Sequence, residues 1–510
     1  MILASNDIIL SEVQQRVVDH DHGHLRIVAC PGSGKTEVVS RRVAELIKKG
    51  VDPATIVAFT FTEKAAEGLK LRIRKRLEED CKEKSDFGDM YIGTIDSFCL
   101  HLLKQLKPEY RAFEVLDSAR RIAFIDRWYY RMGFRDLQEE RMGKWRVMKM
   151  FCDSSDRAMM ERIDMSQITN TAFVTCFGEY VKKLKEEKFF DFTSIIFSLL
   201  ELLQSDKSAL KQLGSTVKHV VFDEYQDVNK LQEELLEYLS RGADSVCVVG
   251  DDDQNIFQWR GSDVEYIINF PTTYEKYGVT TEQLDVNYRA TDGLVEVANR
   301  FIQNNTFRVE KNMRAYEKQN RTFEDGDIVQ HHFDDDRAEF DFILQNIQNL
   351  INTDFTDKHG ETYGLSYRDM AVLVSSNEDA ARIIRYFEEH DIPCIADSGT
   401  SVFDRPLVSF ATDCICYVFD CDGYTTGDHV PELDELKERY SEIIGGDVKK
   451  FERNLLSVKS RADAIIEKGY SDWLPNLGLQ EFYQRILSAM GAEEGVFDDV
   501  DMYNLAVLST

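Results

Sequence analysis

The residues Ala29-Cys30-Pro31-Gly32-Ser33-Gly34-Lys35-Thr36 gather glycines, an amine and two hydroxyls into one short loop. Gly32 and Gly34 let backbone N–H groups come close to a phosphate chain, and a helix starting near Lys35 points its positive end at that chain. Lys35 would then reach the β- and γ-phosphates of a nucleotide, with Ser33 in the cradle and the Thr36 hydroxyl on a magnesium ion. Ala29 stands where the strict phosphate-loop pattern has its first glycine. Far along the chain lies Asp223-Glu224-Tyr225-Gln226-Asp227. Two adjacent carboxylates suit two tasks in phosphoryl transfer. Asp223 can hold magnesium through water, and Glu224 can orient or deprotonate the attacking water.

Each cluster needs an element to place it. The apolar run Leu25–Val28 before the loop and the amphipathic stretch through Ile47 after it predict strand, loop and helix, the context a phosphate loop requires. Val220-Val221-Phe222 predicts a buried strand that delivers Asp223 and Glu224 at its carboxyl end, the edge where parallel α/β sheets bind ligands. An acidic pair alone is common on surfaces. Behind an apolar strand, in a chain that also has a phosphate loop, it is informative.

Further segments give the sequence a family likeness. Phe59-Thr-Phe-Thr-Glu-Lys-Ala-Ala66 resembles helicase motif Ia. Gly93-Thr-Ile-Asp-Ser-Phe98 resembles motif Ib, with Asp96 where relatives usually show His. The Asp223–Asp227 block is similar to the DExQD form of motif II, and Gly250-Asp-Asp-Asp-Gln-Asn-Ile-Phe-Gln-Trp-Arg-Gly261 to motif III. Leu284-Asp-Val-Asn-Tyr-Arg289 resembles motif IV, and Leu10 to Gln14 the glutamine motif that reads adenine. Taken in order, these blocks resemble superfamily 1 helicases of the UvrD/Rep type.

The resemblance implies an α/β fold of RecA-like P-loop NTPase motor domains, with parallel sheets and helical insertions. It implies ATP and Mg2+ as the nucleotide and its metal. It assigns Gln14 to adenine, Tyr288 to stacking on the base, Gln254 to sensing the γ-phosphate and Arg289 to an arginine finger. It assigns single-stranded DNA contact to Phe61, Thr62, Lys64, Phe257, Trp259 and Arg260. Stacking on aromatics tolerates any base, as a motor requires. Buried core aromatics would look the same in sequence. Lys70, Arg72, Arg74, Lys75 and Arg76 extend the basic stretch begun at Lys64, for phosphates or for a solvated helix face.

The expected plan places a first RecA-like domain at 1–98 and 213–279 and a helical accessory insertion at 99–212. Phe190-Asp-Phe192 resembles the last element of that insertion. Part of a second RecA-like domain is expected at 280–405, with strands at Ile328–Phe333 and Met370–Val374. A second helical insertion, itself incomplete, is expected at 406–510. No segment resembles motif V (HxxKGLE) or motif VI (YVAxTRA). Three explanations are open, a truncated motor, a split motor whose missing motifs a second polypeptide would supply, and a degenerate member; the well-formed α/β pattern of 290–405 favours the first two.

Composition sets outer bounds. With 43% hydrophobic and 30% charged residues the chain reads as globular. It has no apolar run long enough to span a bilayer and no signal-peptide pattern at its start, so a cytoplasmic location without membrane contact is expected. Cys414, Cys416 and Cys421 fit no common metal spacing and read as small hydrophobes. The net charge of −29 opposes nucleic-acid binding, but its distribution is uneven. Residues 1–100 hold 15 Lys/Arg against 16 Asp/Glu, whereas residues 401–510 hold 10 against 21.

The expected activity is ATP-driven movement, 3′ to 5′, on single-stranded DNA and at DNA junctions, in repair or recombination. The rival reading is a nucleotide-switched DNA-binding subunit of a nuclease–helicase or phage-defence complex. A pure binder has no use for a water-activating Glu224.

Overall fold

The computed structural model describes residues 9–80, 88, 90–138, 142–317, 322–357, 360–395, 406–420, 430–466, 479–492, 497 and 505. The chain divides into two compact units, residues 1–330 with 356–361 and residues 331–355 with 362–510. No helix among the described residues is long and apolar enough to cross a membrane.

The first unit opens with α1 (Glu12–Asp19), β1 (His24–Ala29), α2 (Lys35–Lys48), β2 (Ile56–Phe59), α3 (Glu63–Asp80), β3 (Tyr91–Gly93) and α4 (Ile95–Leu106). A largely helical stretch follows: β4 (Glu114–Val115), α5 (Ser118–Trp128), α6 (Lys144–Met160), α7 (Thr171–Glu186), β5 (Phe189–Phe190), α8 (Phe192–Ser205) and α9 (Lys207–Thr216). The chain returns to the sheet with β6 (His219–Phe222), α10 (Lys230–Ser240), β7 (Ser245–Gly250), α11 (Glu265–Thr273) and β8 (Val279–Leu284). It closes with β9 (Val286–Asn287), α12 (Asp292–Ile302) and β10 (Arg314–Ala315).

Six strands form a parallel sheet in the order β3-β2-β6-β7-β1-β8. Its central strands are apolar on both faces because helices cover both. Side chains alternate between the two layers. Val57, Phe59, Val220, Phe222, Val246 and Val248 enter the core with α4, α8, α10 and α11. Ile56, Ala58, Val221, Cys247 and Val249 enter the core with α1, α2 and α3. The sheet runs on past 279, the boundary read from sequence, because Val279–Leu284 pairs along the whole of β1.

The accessory stretch is not one body. Leu116, Phe124, Phe134, Phe151, Tyr180 and Leu184 form a core of their own between α5, α6 and α7. Helices α4, α8 and α9 bury Cys99, Leu103, Leu199, Leu200 and Leu213 in the core of the sheet instead. Asp191 joins the two parts. It caps α8 by accepting from the Ser194 N–H at 2.7 Å, accepts from the Tyr180 hydroxyl at 2.5 Å, and lies 3.3 Å from the buried Arg121.

In the second unit, α13 (Asp336–Leu350) and α14 (Asn377–Glu389) pack through Leu344, Ile383 and Phe387. Four further helices, α15 (Pro406–Phe419), α16 (Leu433–Ile443), α17 (Val448–Ile466) and α18 (Leu479–Met490), share a core around Phe410, Leu436, Phe451, Leu455 and Ile486. Cys414 and Cys416 are buried in α15, as small hydrophobes are; Cys421 lies outside the described residues. The strands expected at 328–333 and 370–374 are irregular chain. Among the described residues no ladder pairs with either segment, Val329 and Leu373 are 69% and 94% exposed, and an apolar run without a partner ladder does not become a strand.

One buried carboxylate makes stability depend on pH. Glu233 on α10 accepts hydrogen bonds from the Tyr225 and Tyr274 hydroxyls, the latter at 2.9 Å. Burial pushes its pKa from 4.5 up to about 7, and the two tyrosine donors pull it back only in part. Because the folded value is raised, this contribution is fully present below about 4.5 and is lost as pH rises through about 7. Glu233→Gln keeps an acceptor without the charge. It should raise stability at pH 8 by on the order of 1–3 kcal/mol and flatten the profile between pH 5 and 8. Asp96, pushed up to about 6 by burial, leaves a residual slope. Denaturant titrations across that range check this; an unchanged slope in the variant rules out Glu233 as its source.

Candidate active site and nucleic-acid interface

The phosphate loop joins β1 to α2, and its backbone is built for close approach. Gly32 has φ +66°, and a Cβ there would lie 2.7 Å from Asn287 Oδ1 and 2.8 Å from Arg289 Cβ. Gly34 sits at the N-cap of α2 in the left-handed region. The Ser33 hydroxyl is buried without a hydrogen-bond partner, a polar atom aimed at a place where a phosphate oxygen would satisfy it. Gln14 is buried beneath the loop. Its amide donates to the Ser33 carbonyl at 3.0 Å and accepts from the Ser11 N–H at 2.9 Å, so it ties α1 to the loop. One amide hydrogen and one lone pair remain for a base edge.

The carboxylate pair arrives on β6, which lies two strands from β1 with β7 between them. Lys35 Nζ donates to Glu224 Oε2 at 3.1 Å, which closes a 189-residue separation. Glu224 takes φ +53°, rare for a residue with a side chain. Such strain persists where surrounding structure over-determines it, and it marks sites of function. Asp223 is buried and accepts from the Glu224 N–H at 3.0 Å. Burial, helped by the Glu224 charge and opposed by Lys35, pushes its carboxyl up to about 6. A buried carboxylate short of positive charge, beside the Thr36 hydroxyl of the loop helix, fits a divalent cation. Asp223 and Thr36 would hold it, and it would supply charge that polarises the phosphates.

Gln226 carries the connection onward. Its amide donates to Glu224 Oε2 at 3.0 Å and to Asp227 at 3.2 Å, and its oxygen accepts the Asp251 N–H at 3.0 Å. A Cβ at Gly250 would lie 2.6 Å from that oxygen and 2.7 Å from Ile267 Cδ1, so a larger residue there would push the Gln226 amide out of this bond. Asp251, at the end of β7, accepts from the Gln254 amide at 2.6 Å. From Gln254 the same segment runs to the aromatic residues. Phe257 stacks on Phe61 with ring centroids 5.7 Å apart and planes 17° from parallel. The Arg260 guanidinium lies 4.7 Å from the centre of the Trp259 ring, which is 72% exposed. That exposure excludes a core role for Trp259. Thr62 caps α3 by accepting from the Ala65 N–H at 3.1 Å, and Lys64 is exposed on the first turn of that helix.

Tyr288 and Arg289 follow β9 and lie against the loop. The Tyr288 N–H donates to the Gly32 carbonyl at 2.9 Å, and its ring lies 4.9 Å from that of Tyr316. The Arg289 N–H donates to Asn287 Oδ1 at 2.7 Å. Reading the sequence passed over Gln226, Asn287, Arg308 and Lys311. Gln226 lay inside a recognised motif and could have been found by asking what joins the DExQD block to the next one. Asn287 likewise lies inside the motif IV block; Arg308 and Lys311 show no signal in linear pattern.

Residues 10–275, just over half of the chain, match the UvrD/REP helicase N-terminal domain, and residues 283–418 match the UvrD-like helicase C-terminal domain. The chain is 28% identical over 407 residues to the ATP-dependent DNA helicase PcrA of Leuconostoc citreum, covering 78% of this chain and 51% of that protein. It is 27% identical over 404 residues to PcrA of Staphylococcus aureus strain Mu50, covering 77% and 51%. The chain thus spans about half the length of the curated relatives it matches. The parallel sheet, the phosphate loop and the motif II and III relay are those of a RecA-like motor, and the chain belongs to the UvrD/REP helicase family.

Proposed function

We propose that this chain is an ATP-hydrolysing DNA motor that moves 3′ to 5′ along single-stranded DNA and acts at DNA junctions in repair or recombination. The observation that carries the reading is the hydrogen-bonded relay from Lys35 and Glu224 through Gln226 and Asp251 to Gln254. It joins a site suited to splitting a γ-phosphate to a segment ending in exposed aromatic and basic side chains. Phe61, Phe257, Trp259 and Arg260 supply ring faces and positive charge for successive bases, with Thr62 and Lys64 beside them. Family membership supports the same reading, and direction and pathway follow from the resemblance alone.

ATP would be held by Gly32, Ser33, Gly34, Lys35 and Thr36, with Gln14 and Tyr288 at the base. Glu224 activates the water, Gln254 responds to the γ-phosphate, and Arg289 stabilises charge on the transferring group. A switch without hydrolysis is disfavoured by Glu224 itself, whose strained backbone holds a carboxylate beside Lys35.

The test is ATP hydrolysis with and without single-stranded DNA, together with displacement of streptavidin from oligonucleotides biotinylated at either end. Displacement from the 5′ end supports the reading, and a lack of DNA stimulation overturns it. Trp259→Ala should weaken oligonucleotide binding by about 1–3 kcal/mol with little base preference. It should also lower DNA stimulation while leaving hydrolysis without DNA unchanged. Unaltered affinity would remove Trp259 from the track.

A further inference from the structure

The segment following α12 sends two cations into motif III. Lys311 Nζ lies 2.7 Å from Asp251, 3.0 Å from Asp253 and in contact with Asp252, and its side chain is only 5% exposed. Arg308 forks onto Asp253 at 2.8 and 2.5 Å, and the Val309 N–H donates to Asp252 at 2.7 Å. The three carboxylates approach closely enough to share a cation, and the Lys311 ammonium stands in that place. Burial disfavours charge on Lys311, yet Asp251 and Asp252 hold its pKa above the ordinary value.

The division of labour at Asp251 gives this contact a function. One carboxylate oxygen takes Lys311 and the Asp253 N–H; the other takes the Gln254 amide. Without Lys311 the neighbouring carboxylates repel one another in a buried setting, and Asp251 loses the contact that fixes its orientation. Lys311 also lies just ahead of β10, which pairs with β9, the strand leading into Tyr288 and Arg289. The same lysine is thus linked to Gln254 on one side and to the Arg289 strand pair on the other.

We propose that Lys311 is a positioning residue that, through Asp251, sets the Gln254 amide for discrimination between nucleoside triphosphate and diphosphate and ties that state to the strand pair carrying Arg289. The proposal rests on the reading of Gln254 as the group that responds to the γ-phosphate.

The test measures the affinities of the full chain for Mg2+ with a non-hydrolysable ATP analogue and for Mg2+ with ADP, and takes their ratio. Lys311→Met should lower the preference for the triphosphate about tenfold, the scale of one hydrogen bond to a charged partner, with ADP affinity unchanged as the sign of a folded site. Lys311→Arg, which keeps the charge, should restore most of the preference. In the Gln254→Ala background, Lys311→Met should cause no further loss. An unchanged ratio in Lys311→Met overturns the proposal, as does a parallel loss of ADP affinity that Lys311→Arg shares, or a loss that persists without Gln254. If Gln254→Ala by itself leaves the ratio unchanged, the γ-phosphate reading fails first. If Gln254→Ala lowers the ratio and Lys311→Met does not, only the positioning role falls.

Discussion

Glu224→Gln should bind ATP as tightly as the parent chain and hydrolyse it about 10²–10⁴ times more slowly, the range for loss of a positioned general base. The amide keeps the size of the side chain and can still hydrogen-bond with Gln226 and Lys35, so the relay onward to Asp251 stays formed. What it cannot do is take a proton from water. The substitution also removes the negative charge beside Lys35, which weakens the competition with phosphate for the ammonium; affinity should therefore hold or rise slightly. Single-turnover hydrolysis and nucleotide binding, measured side by side, decide the matter. Full turnover in Glu224→Gln would mean that the attacking water is activated elsewhere, and the role of the whole Asp223–Asp227 block would need reassignment.

Arg289→Ala should lower the rate of hydrolysis by about 10³–10⁵, the effect of losing an arginine that stabilises charge on the transferring phosphoryl group. Backbone contacts that do not involve its side chain help to set its place. The Tyr288 N–H is bonded to the Gly32 carbonyl, and the Arg289 N–H to Asn287 Oδ1. Alanine leaves both backbone bonds intact, so the loss in rate should exceed any loss in nucleotide affinity. Arg289→Lys should rescue poorly, since a point charge does not reproduce the planar fork of donors. A loss below tenfold, or rescue by lysine, would show that Arg289 acts as general positive charge near the site. Equal losses of affinity and rate would show that it holds the loop in the ground state.

Much of the site could be read before any fold was known, for a reason that lies in the chemistry. A phosphate cradle needs consecutive backbone N–H groups at the start of a helix, so Gly32 to Thr36 must be contiguous. Two carboxylates at the end of one strand must likewise be neighbours, as Asp223 and Glu224 are. Aromatic residues were harder. Phe61, Phe257 and Trp259 have the same composition as core residues, and only burial separates Trp259 from them. Strands failed where pairing was assumed. Ile328–Phe333 and Met370–Val374 carry strand composition, but a strand exists only with a neighbour to accept its ladder.

By itself, then, the amino-acid sequence determined the family, the class of fold and the residues of each contiguous motif, because local spacing is what a loop, a strand end or a helix start requires. The tertiary structure alone decided how those motifs touch: Lys35 against Glu224, Gln226 between motif II and Asp251, Phe61 on Phe257, and Gly32 beneath Asn287 and Arg289. It alone also decided that α8 and α9 bury apolar side chains in the core of the sheet, and that Lys311 is buried among three aspartates. These are contacts between residues tens to hundreds of positions apart. They arise from which faces are buried together, and no periodicity or spacing along the chain encodes that choice.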